Sequence, residues 1–266
     1  MKQSGQQRAG IISDPRESIA PDQGDAWRVF KIMAEFVEGF EVLGDLGQAV
    51  SIFGSARTKP DHPEYQQAVD LAAEFARRGT AVITGGGPGI MEAGNKGAFE
   101  AGGVSVGLNI KLPFEQTGNP YQTIGLDFNY FYARKVCFVK YSNGFVCCPG
   151  GFGTLDEFFE TVTLIQTLKS DPFPVVLLGT DYWGGLVDWI GKTLPGAYAS
   201  RADTDIFRLT DSVEEAADWV CGGNWWTPSA HTKLAPEAER PTGEGTRSGT
   251  KIKEANGHAS EERPQS

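Results

Sequence analysis

Short apolar runs that alternate with stretches of helical periodicity constrain this chain more than any other feature. The runs fall at 49–53 (AVSIF), 81–84 (AVIT), 104–110 (VSVGLNI), 145–148 (FVCC), 175–178 (VVLL) and 206–209 (IFRL). Helical patterns occupy 63–78, 88–101, 128–141, 154–169, 181–194 and 212–222. Apolar runs of this length, bounded by turn formers and feeding helices, read as strands buried on both faces of a parallel sheet. The expected fold is therefore α/β, a doubly wound parallel sheet flanked by helices in a single domain. A further helix is expected near 25–44, carrying Trp27, Phe30, Phe36, Val37 and Phe40; its aromatic residues read as core, interface or both, with core preferred. The segments 1–24 and 229–266 are polar and rich in Gly and Pro, too poor in apolar surface to offset the entropy of ordering. The expected folded unit is 25–228, with a disordered segment on either side.

Composition removes several function classes. With 24 basic against 34 acidic residues and a net charge of −10, the chain has no broad basic face for a nucleic acid polymer. Cys137, Cys147, Cys148 and Cys221 form no CxxC pair and read as buried free thiols. No apolar run approaches the roughly 18 residues of a membrane span, and no signal peptide is visible, so the cytoplasm is the expected compartment. His62 sits among prolines, and His231 and His258 lie in the polar tail, which leaves no material for a His-based triad or metal cluster. Acid–base chemistry falls to carboxylates, with Arg or Lys to stabilise charge.

In a doubly wound sheet, ligands bind beyond the carboxyl ends of the strands. The residues there are Gly54-Ser55, Gly85-Gly86-Gly87-Pro88-Gly89, Lys111 to Glu115, and Pro149-Gly150-Gly151-Phe152-Gly153-Thr154. The first glycine loop can bring backbone N–H groups against a phosphate at a helix N-terminus. It is neither a dinucleotide fingerprint, since Ile90 stands where the third glycine belongs, nor a P-loop, since Asn95 replaces the lysine. In the second loop Thr154 is placed to cap the following helix or to bind an anion. Asp156 and Glu157 then fall in the first turn, where the helix dipole favours a carboxylate with or without an activity. Arg134 and Lys135 read either as a solvated face or as a charged pair delivered beside the second loop.

The segments PGGFGTLDE at 149–157, FYARK at 131–135 and GGGPGIMEAGNKGA at 85–98 together resemble the Lonely Guy (LOG) family, over about residues 49–195. Its members often carry an inherited label of lysine decarboxylase. The resemblance implies a Rossmann-like fold and a cytokinin riboside 5′-monophosphate phosphoribohydrolase activity, with AMP accepted by some members and no cofactor. It assigns catalysis to Arg134 and Glu157. It places Gly54, Ser55, Gly85, Gly86, Gly87, Glu115, Lys135, Gly150, Gly151, Phe152, Gly153, Thr154, Asp156 and Thr163 around the nucleotide. It also implies a homodimer in which a neighbour helps complete each site, or a hexamer as in longer bacterial members. Tyr132-Ala133 and Leu164-Ile165 depart from the plant-type pattern, which leaves the base preference open.

The expected chemistry is hydrolysis of an N-glycosidic bond, with Glu157 handling the water and the oxocarbenium-like sugar. Arg134 is expected to hold the ribose or phosphate and to keep Glu157 ionised. The competing reading is a nucleotide or phosphorylated-cofactor carrier on the same fold, which would bind without cleaving. A true lysine decarboxylase would need pyridoxal phosphate and a Schiff-base lysine, for which the sequence offers no independent sign.

Overall fold

The structure, a computed structural model, describes residues 25–112 and 118–222. The expectations for both terminal segments and for Glu115 lie outside the described residues. The order of elements is α1 (Asp25–Leu43), β1 (Ala49–Phe53), α2 (Pro63–Arg77), β2 (Ala81–Thr84), α3 (Ile90–Glu100), β3 (Ser105–Ile110) and β4 (Ile124–Phe128). There follow α4 (Phe131–Tyr141), β5 (Phe145–Cys147), α5 (Phe152–Gln166), β6 (Val175–Leu178), α6 (Thr180–Thr193), β7 (Phe207–Thr210) and α7 (Val213–Cys221).

Among the described residues seven strands pair in parallel in one sheet of order β4-β3-β2-β1-β5-β6-β7. Each of the six strands read from apolar runs is present. In β1, β2, β3, β5 and β6 the continuous hydrophobicity follows from burial on both faces, whereas β7, at one edge of the sheet, exposes Arg208. Ala49, Phe53, Ile83, Phe145, Cys147, Val175 and Leu177 pack with α4, α5 and α6 on one side. Val50, Ile52, Val82, Val146, Cys148, Val176 and Leu178 pack with α2, α3 and α7 on the other. Adjacent Cys147 and Cys148 thus belong to opposite cores. Cys137, Cys147 and Cys148 are buried free thiols as expected, whereas Cys221 is exposed.

Strand β4 was not expected. It is an edge strand whose exposed Gly125 and Asp127 break the apolar run, and residue 128 closes this strand rather than opening the next helix. Helix α1 corrects a second expectation. Its inward face is Glu35, Phe36, Gly39 and Leu43, while Trp27, Phe30, Val37 and Phe40 are exposed. Buried Glu35 accepts from the Asn129 and Tyr130 amides at 2.8 and 3.2 Å, putting a carboxylate at the N-terminus of α4, where the cap residue Tyr130 gives no side-chain bond. No described helix is long and apolar enough to cross a membrane.

Candidate active site

The strand order reverses between β1 and β5, so the loops that follow these strands diverge and open a crevice. Both loops are among those singled out from the sequence. Ser55 joins them: its amide donates to Pro149 O at 2.9 Å, and its carbonyl accepts from Ile90 N at 3.0 Å. A β-carbon on Gly54 would meet Ile90 within 2.8 Å, and one on Gly150 would strike Thr154. Gly54-Ser55 and the two glycine loops therefore lie against one another only because side chains are missing there.

The first glycine loop is fixed from beneath by buried amides. Asn95 Oδ1 accepts from Thr84 Oγ1 at 2.6 Å and from Asn119 Nδ2 at 2.8 Å, and Asn95 Nδ2 donates to Ser105 Oγ and Val106 O. Thr84 Oγ1 in turn accepts from Gly86 N at 3.0 Å. Asn119 donates from its backbone to Gly86 O and from its side chain to Gly87 O. Gly86 and Gly89 have φ of +70° and +69°, a region that L side chains rarely adopt. The position that defeats the P-loop motif is thus the hub that shapes the loop. Sequence reasoning missed Asn95 and Asn119 as site residues, because neither carries a charge or sits in the loop.

Arg134 reaches across from α4 to the carboxyl ends of β2 and β3. Its Nε donates to Leu108 O at 2.7 Å and its Nη2 to Gly85 O at 3.1 Å. Burial pulls the guanidinium down to about 10, partly offset by Glu157, so it stays charged at neutral pH. A β-carbon on Gly85 would collide with this guanidinium. Lys135, one residue on, points instead to α5, where its Nζ lies 2.9 Å from Asp156 Oδ2, 2.5 Å from Glu160 Oε2 and 4.0 Å from Glu157 Oε1.

Helix α5 begins at Phe152 with Gly151 as its cap, two residues earlier than expected, and the cap makes no side-chain bond. Thr154 is therefore not the cap; it is buried inside the first turn. Asp156 and Glu157 move into the second turn, away from the strongest influence of the dipole, so helix-start preference does not account for them. Glu157 is buried, and its Oε2 has no hydrogen-bond partner among the described residues. Burial pushes its carboxyl up to about 7, with Lys135 and Arg134 opposing and Glu160 and Asp156 assisting. Arg134 favours the ionised form of Glu157, as expected, but desolvation outweighs it, and the Nε and Nη2 of the guanidinium are engaged by backbone carbonyls.

Gly54, Ser55, Gly85, Gly86, Gly87, Arg134, Lys135, Gly150, Gly151, Gly153, Thr154, Asp156 and Glu157 thus gather at the carboxyl end of the sheet. Phe152 stands at the rim, 91% exposed. Thr163 is not brought in: it is exposed further along α5, and its hydroxyl donates to Phe159 O at 2.7 Å. Glu160 and Tyr182 were missed. The first could have been found from its spacing, four residues after Asp156 on one helix face. The second, whose hydroxyl donates to Gly150 O, left no local signal. A cleft of about 500 Å³ opens beside Ser55, lined by Arg57, Lys59 and His62 among others. No three His, Cys, Asp or Glu side chains among the described residues are grouped to hold a metal ion.

Residues 91–220 match the family model described as "Possible lysine decarboxylase". The Arabidopsis thaliana cytokinin riboside 5′-monophosphate phosphoribohydrolase LOG4 is 30% identical over 202 residues, 73% of this chain and 91% of that protein. Among solved structures, the X-ray structure of the structural-genomics target TM1055 is 29% identical with a TM-score of 0.50, covering 64% of this chain and 96% of that one. The molybdenum cofactor carrier protein MCP from Chlamydomonas reinhardtii is 25% identical with a TM-score of 0.49, covering 65% and 95%. With the paired glycine loops, half-buried Arg134 and buried Glu157 in place, and with a relative matched over nearly its whole length, the chain belongs to the LOG family.

Proposed function

We propose that this protein hydrolyses the N-glycosidic bond of a nucleoside 5′-monophosphate, releasing the free base and ribose 5-phosphate. The observation that carries this reading is Glu157, a buried carboxyl with an unpartnered oxygen, raised to about 7 beside the glycine loops. A group meant only to bind a ligand has no need of a proton affinity matched to neutral pH, whereas a general base does. In the reaction Glu157 takes a proton from water as the oxygen bonds to C1′. The C1′–N bond breaks with its electron pair passing to the base, and the proton ends on the departing base through solvent.

The 5′-phosphate would lie on the amides of the two glycine loops, at the N-termini of α3 and α5. Ser55, Lys135 and Arg134 would add donors and positive charge around the ribose phosphate. The exposed Trp27, Phe30, Met33 and Val37 of α1 offer an apolar face for the homo-oligomer expected of the family. Light scattering at micromolar concentration should report a dimer or larger; a monomer would remove this part of the reading.

The test is chromatographic detection of free base from AMP and from an isopentenyl-AMP, followed across pH. The rate should rise as pH passes through about 7, because protonated Glu157 cannot accept the proton of water. A chelator should leave it unchanged. Tight nucleotide binding with no base released from a broad panel would transfer the site to a carrier.

A further inference from the structure

On the hydrolytic reading above, we propose that Glu160 is a positioning residue that holds the Lys135 ammonium off Glu157, leaving Glu157 free to take a proton from water.

Three carboxylates on α5 face one ammonium from α4. Glu160 and Asp156 are in direct contact with Lys135 Nζ at 2.5 and 2.9 Å, while Glu157, at 4.0 Å, is beyond hydrogen-bond range. Asp156 has a side chain 61% exposed, so water screens its hold on the lysine, whereas Glu160 is 33% exposed and makes the shorter contact. The carboxylate most in need of a cation, Glu157 at 10% exposure, receives the least of it. That distribution runs against electrostatic economy within a folded chain, but it suits a base. A lysine bonded directly to Glu157 would fix the carboxylate ionised and weaken it as a proton acceptor.

The other groups facing Glu157 do not replace this control. From α4, Arg134 acts on it only through its field, with Nε and Nη2 bonded to Leu108 and Gly85 carbonyls. From β5, the Cys147 thiol is raised well above its ordinary value by burial and stays neutral. From α5 itself, Asp156 and Glu160 both favour the protonated form of Glu157. Removing the Glu160 charge therefore acts twice in one direction: a repelling carboxylate is lost, and Lys135 is held off Glu157 by Asp156 alone instead of by two carboxylates.

The experiment is a carbon-13 titration of the glutamate carboxyls in the full chain, with the Glu157 signal assigned by its loss in Glu157→Gln. Glu160→Gln should lower the Glu157 midpoint by about one unit, and Lys135→Met should raise it. The acid limb of the base-release profile should move down with the first variant, over a reduced plateau. A purely structural Glu160 would lower the melting temperature and leave the midpoint where it was, which overturns the proposal. If Glu160→Gln does not fold, Lys135→Met decides, because an unmoved midpoint there removes the lysine from control. Should the wild type release no base at any pH, the hydrolytic reading fails, while the carboxyl titration still decides whether Glu160 governs Glu157.

Discussion

Glu157→Gln is expected to cut base release by roughly 10²–10⁴-fold, the usual worth of a positioned general base, while making the folded chain more stable at alkaline pH relative to the wild type. The two effects have one origin. In the folded chain Glu157 holds its proton up to about 7, against an ordinary value of 4.5. Between those values the native state binds more protons than the unfolded chain, so native stability falls as pH rises through the window. By pH 8 the wild type has lost about 3 kcal/mol from burying this charge, on the scale of ~1.4 kcal/mol per unit. Glutamine never carries the charge and does not share the loss. It brings an amide donor with no evident partner, a cost of about 1–3 kcal/mol that is constant with pH. The quantity to measure is therefore the stability difference between the two proteins, from urea unfolding at pH 4.5 and at pH 8. It should move by about 3 kcal/mol in favour of glutamine. Parallel pH dependences would mean that Glu157 is not a destabilised carboxylate in solution.

The same residue marks the boundary of what the sequence discloses. The motif names Glu157, and local patterns yield six of the seven strands and both glycine loops, because burial on two faces and glycine-to-helix junctions leave contiguous traces. What sequence cannot supply is the reason Glu157 is unusual. Read locally, it is a carboxylate at a helix start; α5 begins early enough to put it in the second turn, walled in by Arg134 and Lys135 from a helix some twenty residues earlier. Edge strand β4 hides for the opposite reason, since a strand with one free edge needs no continuous apolar run. The outward aromatics of α1 mislead because hydrophobicity alone does not say which face of a helix the core takes.

Asn95 is the other residue whose importance arises only in three dimensions, and Asn95→Ala is expected to destabilise the chain by roughly 3–5 kcal/mol. The side chain is fully buried and makes four hydrogen bonds: two accepted from Thr84 and Asn119, two donated to Ser105 and Val106. Alanine removes all four and strands their partners away from water, where each unsatisfied group costs about 1–3 kcal/mol before relaxation. The loss should reach the site, because Thr84 and Asn119 are the residues that hold the Gly86 and Gly87 backbone. Asn95→Asp provides a sharper version at nearly constant volume. Its second oxygen would face Val106 O and Ser105 Oγ, where the amide had donated, so the ionised form should be at least as damaging as alanine near neutral pH. Protonation would restore one donor, and part of the stability should return as pH falls. Urea midpoints for both variants, with AMP affinity measured on the folded fraction, test the chain of causes from hub to loop to phosphate. Loss of less than about 1 kcal/mol in Asn95→Ala would show that the network relaxes around the gap. Full AMP affinity in a destabilised variant would separate the hub from the loop it supports.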